Sequence, residues 1–467
     1  MAIEEDLSEW EIASTGRMIS YAFGYTVIAF LLGGGFSLIF YFYEVELGVS
    51  VVLLGMAFII FAIWNMVNDP LLGFLTDRPM KWTQKYGLRA PWVILTAFPI
   101  LIFYYLIWTP PEGASEMMLF LWFIIITCLF DTFFSIYNDH VYGGFTNQFP
   151  SEFERRRAFS IGTIIMGLIL TPMAIIGNFI IVYGDKASFA RYALIMIILL
   201  VIFNIILFPG IRESQQMKEM FLTSYEKAEK ISFFKTMKSA LKQKNFAVSL
   251  TGYTVQITAV TLIATSYIYM YKDVYRLPYS AMALPAIVGL IGFIIAVPFW
   301  YNYARKHGFK KTYWICFILH GVSMIPYLFI TELYQIVIVR FISALCYSGE
   351  VIMLMPVASD TYDEVSATME KRVDATLVGI RTFFFRVAFL VVGIIIPLVH
   401  ILTNYNPDPS PYVLQSPQAV WGVRVHAALI PMIMLIVMGL IFRQFYTLEG
   451  VEKEALIRKL KDLGIYR

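Results

Sequence analysis

The sequence predicts an all-α membrane protein with twelve transmembrane helices in two six-helix pseudo-repeated bundles. Three observations predict it. Of 467 residues, 59% are hydrophobic and only 15% charged, whereas a soluble domain carries about 25% charged residues. The mean hydropathy is +0.69, so the chain lacks the polar surface to coat a globule in water. The apolar residues come in continuous runs of about 20, long enough to cross a hydrocarbon core as helices. They do not alternate in the manner of a strand barrel.

The runs lie near 18–43, 50–75, 92–109, 117–140, 158–183 and 190–209, then near 246–271, 281–302, 312–330, 334–358, 374–402 and 420–446. This divides the chain into an N-terminus (1–17), a first bundle (18–209), a linker (210–245), a second bundle (246–446) and a tail (447–467). The N-terminal Met1–Glu11 is acidic, so no cleavable signal is expected there. Lys and Arg gather in alternate loops: Arg78, Lys81, Lys85 and Arg89; Arg155–Arg157; the linker lysines; Arg305–Lys311; Lys371 and Arg372. By the positive-inside bias, both termini are cytoplasmic, in a multi-pass protein of the cell membrane. Linker residues Ser224–Lys244 fit a basic amphipathic helix with Phe233, Phe234 and Met237 turned to lipid, and Val451–Leu463 shows a shorter pattern of that kind.

Other classes are excluded. A net charge of +3 gives no reason to expect nucleic acid, and Cys128, Cys316 and Cys346 lie far apart inside apolar runs, without metal or disulfide spacing. No nucleophile–base pair or nucleotide loop is present, so the chain is not read as an enzyme and needs no cofactor beyond a coupling cation, H+ or Na+. The expected partners are a small solute and the bilayer, with the chain as a monomer.

Charges inside the runs carry the functional reading, because an ionised side chain at mid-bilayer costs about 2.5–3.5 kcal/mol or more. Asn65, Asn68 and Asp69 share one helical face, and Pro70 frees the carbonyl of Met66. Together they suit a cation or proton. Asp131 falls about fourteen residues into the fourth run; Asn138, Asp139 and His140 lie nearer its end. Arg386 sits about 18 Å along its helix, deep enough to need a carboxylate such as Asp131 or Asp69. Glu350 and Arg381 lie at similar depths on consecutive helices and are expected to pair structurally. Trp64, Tyr137 and Tyr347 are candidates to line a solute pocket with Asp131 and Arg386. His320 and His400 are expected to be satisfied by neighbours.

Corresponding hairpins in the two halves, Gly73–Lys81 and Trp300–Lys311, each carry a basic turn. Duplicated bundles of this kind bind solute near the midplane and rock one half against the other. Gly73-Phe-Leu-Thr-Asp77-Arg78 resembles the loop signature of the major facilitator superfamily. Asn68-Asp69-Pro70-Leu-Leu-Gly73 with Pro91-Trp92, Asp131 and Glu154–Arg157 resembles the glycoside-pentoside-hexuronide:cation symporter family (melibiose permease-like) of that superfamily. Ser359-Asp360-Thr-Tyr-Asp363-Glu364 with Arg372, Gly379-x-x-x-Phe383-Phe384-x-Arg386 and Tyr446-x-Leu448 continue the match through most of the chain.

The resemblance implies a major facilitator fold carrying sugars, or lysophospholipids in one branch, with sodium or protons. It implies Asp131 and Arg386 at the substrate, Asp69, Asn65, Asn68 and again Asp131 at the coupling ion, and Asp77, Arg78, Asp360, Asp363 and Arg372 in an inner latch. Asn65 stands where sodium-coupled members carry a carboxylate and Cys128 where they carry a threonine. Ala29 replaces a sugar-pairing acid of helix 1. These departures favour proton coupling or uniport over sodium. The expected function is secondary active transport of a small organic solute, a sugar or glycoside, by alternating access. A lysophospholipid carrier and a non-transporting membrane receptor are the alternatives.

Overall fold

The computed structural model describes residues 13–464 apart from 35, 150, 220, 221, 223–232, 372 and 412. Among the described residues every regular element is a helix. Helices matching the apolar runs are α1 (Thr15–Glu46), α2 (Val51–Thr76), α3 (Arg89–Trp108), α4 (Glu116–Gln148), α5 (Glu152–Ile180) and α6 (Lys186–Ile211). They continue with α7 (Lys244–Tyr269), α8 (Ala283–His307), α9 (Phe309–Ser323) and α10 (Leu333–Met369). Helix α11 runs Asp374–Phe385 and, after a break at Arg386, Val387–Thr403. Helix α12 runs Pro417–Arg424, a π turn Val425–Leu429, and Ile430–Phe445.

Eleven of these are long and apolar enough to span a bilayer. The exception is α9, which stops after 15 residues and passes through Met324 into a 3-10 turn, Ile325–Leu328. Pro326 lacks the amide hydrogen that would continue the α-helical ladder. Large apolar side chains such as Leu168, Phe179 and Leu402 stand about 70% exposed (70%, 68% and 71%). The protein is a multi-pass membrane protein.

The chain forms two compact units. The first comprises Met1–Phe42 and Ile63–Glu229. Within it α1 packs on α5 and α6, and α3 packs on α4 and α6. Gly210 lets α6 approach α1, since a Cβ there would lie 2.6 Å from Ser20 Oγ. Hydroxyl or carboxylate caps start the helices: Ser14 for α1, Ser115 for α4, a Ser151–Glu154 capping box for α5 and Asp185 for α6. Each such cap contributes about 1 kcal/mol. The Glu154 carboxylate also accepts from the Ala13 amide at 2.6 Å, tying the start of α1 to α5.

The second unit comprises Tyr43–Ala62 and Lys230–Arg467. Here α8 packs on α10, α9 on α10 and α12, and α7 on α10, α11 and α12. Phe317, Met353, Leu435 and Phe442 form the middle of its core. The sequence-based boundaries place Tyr43–Ala62 in the first bundle, yet its contacts belong to the second unit. Gly55 lies against Gly393 and Pro397, and Phe61 meets Phe389 edge-on at 5.9 Å.

The linker differs from expectation. Its described helix is short, Phe233–Ala240. Phe233 and Met237 pack inward on a core that contains Leu377 and Ile380; only Phe234, 67% exposed, faces out. The apolar side of this helix is used up by α11, so it is not a purely lipid-facing face. The rest of the expected linker helix, 223–232, lies outside the described residues. The tail forms a helix, Gly450–Asp462, seated on α10.

Candidate functional site

In the first unit, α2 and α4 bring the intramembrane acids together. Asn68 and Asp69 are neighbours on α2, while Asp131, Thr132 and Ser135 occupy one face of α4 through the four-residue helical repeat. Asn68 Nδ2 donates to Asp131 Oδ2 at 3.2 Å and to Thr132 Oγ1 at 3.4 Å. Ser135 Oγ donates to Asp69 Oδ1 at 2.5 Å. Asp131 is 2% exposed, Asn65 0% and Asn68 6%, and Asp69 is half-buried. Asp131 stands about 22 Å from the start of α4, well inside a span of 30 residues. Pro70 lies inside α2 without ending it, so the polar group sits within the span.

This arrangement suits a cation or a hydroxylated solute. Carboxylate oxygens held by amide and hydroxyl donors are oriented acceptors, and hydrogen bonds to ionised groups are roughly twice as strong as neutral ones. Ser135 was not singled out by sequence, although its position one turn beyond Asp131 is the signal that finds it. A groove of about 410 Å³ in the same unit is lined by Arg17, Ser20, Gly210, Arg212 and Glu213, and by neither Asp69 nor Asp131.

The other expected pocket residues divide between the two units. Tyr137 is fully buried and its hydroxyl donates to Asn204 Oδ1 on α6 at 2.8 Å. Its role is to pack α4 on α6 rather than to line a pocket, which corrects the aromatic reading. Trp64 remains 44% exposed. In the second unit, Tyr347 packs against Phe293 and His320. Arg386 occupies the break in α11, 5% exposed, with its guanidinium over the Phe385 ring at 5.6 Å.

The expected Glu350–Arg381 pair is replaced by two others. Glu350 Oε1 meets His320 Nδ1 at 3.0 Å, and Arg381 lies over the Tyr253 ring at 4.8 Å. Similar depth on consecutive helices did not mean a shared face. His320 and His400 each have a carboxylate neighbour, Glu350 and Glu44.

Of the latch residues, Asp77 pairs with Arg89 at 2.5 Å, and the same guanidinium nitrogen lies 3.3 Å from His140 Nδ1. Arg78 is exposed. Asp360 pairs with Lys453 of the tail helix at 2.6 Å, Asp363 is half-buried beside it on α10, and Arg372 lies outside the described residues. Glu213 caps α3: its Oε2 accepts from the Arg89 and Ala90 amides at 2.9 and 3.3 Å. Burial pushes its carboxyl above the usual range, against those hydrogen bonds and the Arg89 charge.

Comparison with known proteins agrees with this architecture. The chain is 23% identical over 434 residues to the uncharacterized symporter YnaJ of Bacillus subtilis, covering 90% of this chain and 89% of that protein. It is 24% identical over 312 residues to the sodium-dependent lysophosphatidylcholine symporter 1 of Xenopus tropicalis, covering 58% and 56%. The solved nucleoside transporter NupG shares the fold with a TM-score of 0.56 at 14% identity, over 91% of this chain and 99% of that one. A family model described as MFS/sugar transport protein matches residues 16–450. With a match running from the first turn of α1 to the start of the tail helix, the chain belongs to the MFS/sugar transport family of the major facilitator superfamily.

Proposed function

We propose that this chain is a secondary active transporter that moves a small organic solute, a sugar or glycoside, across the cell membrane by alternating access. Both termini face the cytoplasm. The observation that carries the reading is the sequestered pairing of Asp131 with Asn68 and of Asp69 with Ser135 inside two apolar helices. A helix bundle gains little by keeping two carboxylates in its interior unless they bind something. Asp131 hydrogen-bonds the solute, and Asp69, with Asn65 and Asn68, takes the coupling cation. Arg386, buried at the break in α11 of the second unit, is the cationic candidate for the solute. Protons fit better than sodium, because Asn65 and Cys128 offer fewer hard anionic oxygens. Asp77, Arg78, Asp360, Asp363 and Arg372 are the gating residues of this reading; the Asp77–Arg89 and Asp360–Lys453 pairs each lie within one unit. The chemistry is translocation rather than bond-making.

Uptake of labelled sugars into proteoliposomes, with and without an inward pH gradient, tests this. Accumulation that follows the gradient and is abolished by Asp131→Asn supports it; wild-type accumulation by that variant overturns the assignment. The lysophospholipid reading is favoured by the likeness to the lysophosphatidylcholine symporter of Xenopus tropicalis and by Ala29 in place of an acid on α1. Competition by lysophosphatidylcholine but not by sugars selects it.

A further inference from the structure

The second unit holds a polar network that the transport reading leaves unused. It lies at the helix ends opposite the basic loops. Glu44 is in the last turn of α1, His400 in the last turn of α11, His426 in the π turn of α12, and Ser266 near the end of α7. They are 1%, 3%, 0% and 0% exposed. Glu44 Oε1 meets His400 Nδ1 at 2.7 Å, and His400 Nε2 meets His426 Nε2 at 3.2 Å. His426 Nδ1 meets Ser266 Oγ at 2.6 Å, and that hydroxyl also lies 2.6 Å from the Leu262 carbonyl.

We propose that Glu44, His400 and His426 form a binding site for one proton. The capacity follows from counting hydrogens. With Glu44 ionised and both rings neutral, His400 Nδ1–H donates to Glu44, His426 Nε2–H donates to His400 Nε2, and Ser266 donates to His426 Nδ1. One added proton, taken up at His426 Nδ1, is accommodated by one hydroxyl rotation and by transfer of the His426 Nε2 proton to His400 Nε2. The Ser266 hydroxyl turns to Leu262, His426 Nδ1–H donates to Ser266, and His400 becomes an imidazolium that donates to both Glu44 and His426. Every ring nitrogen keeps a partner in both forms. A second proton has no place, because it would set two Nε2–H groups against each other at 3.2 Å.

Charge gives the proton a reason to bind. The empty network carries the Glu44 anion in a dry interior, and the loaded one is a zwitterion without net charge. The groups that face it do not cancel that anion. Tyr269, on α7, donates to Glu44 Oε2 at 2.5 Å. Tyr405 stacks on His400 at 4.1 Å and donates to Asp273 Oδ2 at 2.7 Å. Lys272 is already paired with Asp273 at 2.9 Å and bonded to the Asp408 carbonyl. Glu46 lies buried on the same turn as Glu44. All these contacts lie within one unit, so the inference does not depend on what the chain carries.

The chain has only five histidines, which makes nitrogen-15 histidine NMR of the full protein in nanodiscs practicable across pH 5 to 9. His400 and His426, assigned by single substitution, are expected to shift together in a single one-proton transition. Glu44→Gln removes the compensating charge and moves the midpoint down by about one to three pH units. Tyr269→Phe removes a donor to the carboxylate and moves it up. Separate transitions for the two rings, no transition in the range, or a midpoint unmoved by Glu44→Gln overturns the site. Should Glu44→Gln fail to fold, the upward shift in Tyr269→Phe decides in its place, and its absence overturns the site.

Discussion

Asn68 donates to Thr132 and, in the shorter of its two hydrogen bonds, to Asp131 within the first unit. Removing the amide in Asn68→Ala leaves the Asp131 carboxylate with one donor fewer, at a cost of about 1–3 kcal/mol. Thermal unfolding in detergent should fall accordingly, and solute uptake with it. The His320–Glu350 pair makes a sharper test, because Glu350 is fully buried and its Oε2 has no hydrogen-bond partner among the described residues. His320→Ala should destabilise by about 1–3 kcal/mol by leaving the buried Glu350 carboxyl without its hydrogen-bond partner, whereas the double replacement His320→Leu with Glu350→Leu should restore most of the loss. Asn68, Asp69 and Asp131 were legible because polar groups in apolar runs announce themselves. The network at Glu44 was not, since Glu44 and His400 are 356 residues apart and each alone reads as an ordinary helix-end residue. Tyr137 and Arg381 were misread because depth in the membrane is visible in a sequence, whereas the facing direction of a helix is fixed only by its neighbours.

Helix ends show where local chemistry was decisive and where it was not. The serines before α1, α4 and α5 sit where caps belong, so those starts could be read directly. The cap on α3 comes instead from Glu213, 124 residues downstream of Arg89, and no local pattern points to it. Gly87, at φ 92°, leaves the space this carboxylate fills; a Cβ there would lie 2.0 Å from Glu213 Oε2. Burial raises the Glu213 carboxyl above its ordinary value of 4.5, so the folded protein holds that proton to higher pH than the unfolded chain does. Its contribution is therefore fully present below pH 4.5 and declines as pH rises through the raised value. Glu213→Gln, which keeps an acceptor oxygen, should flatten that decline in a thermal-shift series from pH 4.5 to 8 and gain on wild type at the upper end. Glu213→Ala should lower the melting temperature throughout, through loss of the cap. The break at Arg386 within α11 was equally hidden, since Phe383–Phe389 reads as continuous apolar helix apart from that one guanidinium.

Across the molecule, composition and run length sufficed for the membrane class and the helical architecture, because the requirement to satisfy every backbone group in lipid leaves few alternatives; the family resemblance was carried instead by motifs such as Asn68-Asp69-Pro70 and Asp360-Thr-Tyr-Asp363. The grouping of Tyr43–Ala62 with the second unit was not legible, as it depends on Gly55 meeting Gly393 far away in the chain. Orientation is open to a direct check. In a background without Cys128, Cys316 and Cys346, a cysteine at Lys85 should react only with membrane-permeant maleimides in intact cells. One at Glu112 should react with impermeant reagent, and the reverse pattern would turn the protein over. Helix α9 has a consequence of a different kind. Its 15 residues rise about 22 Å, and the 3-10 turn Ile325–Leu328 adds about 8 Å at about 2 Å per residue, so the segment reaches the roughly 30 Å of a hydrocarbon layer only through its tighter end. Reconstitution in bilayers of graded acyl length should therefore give the highest turnover near that thickness and a decline in thicker membranes, where this segment is the first to fall short.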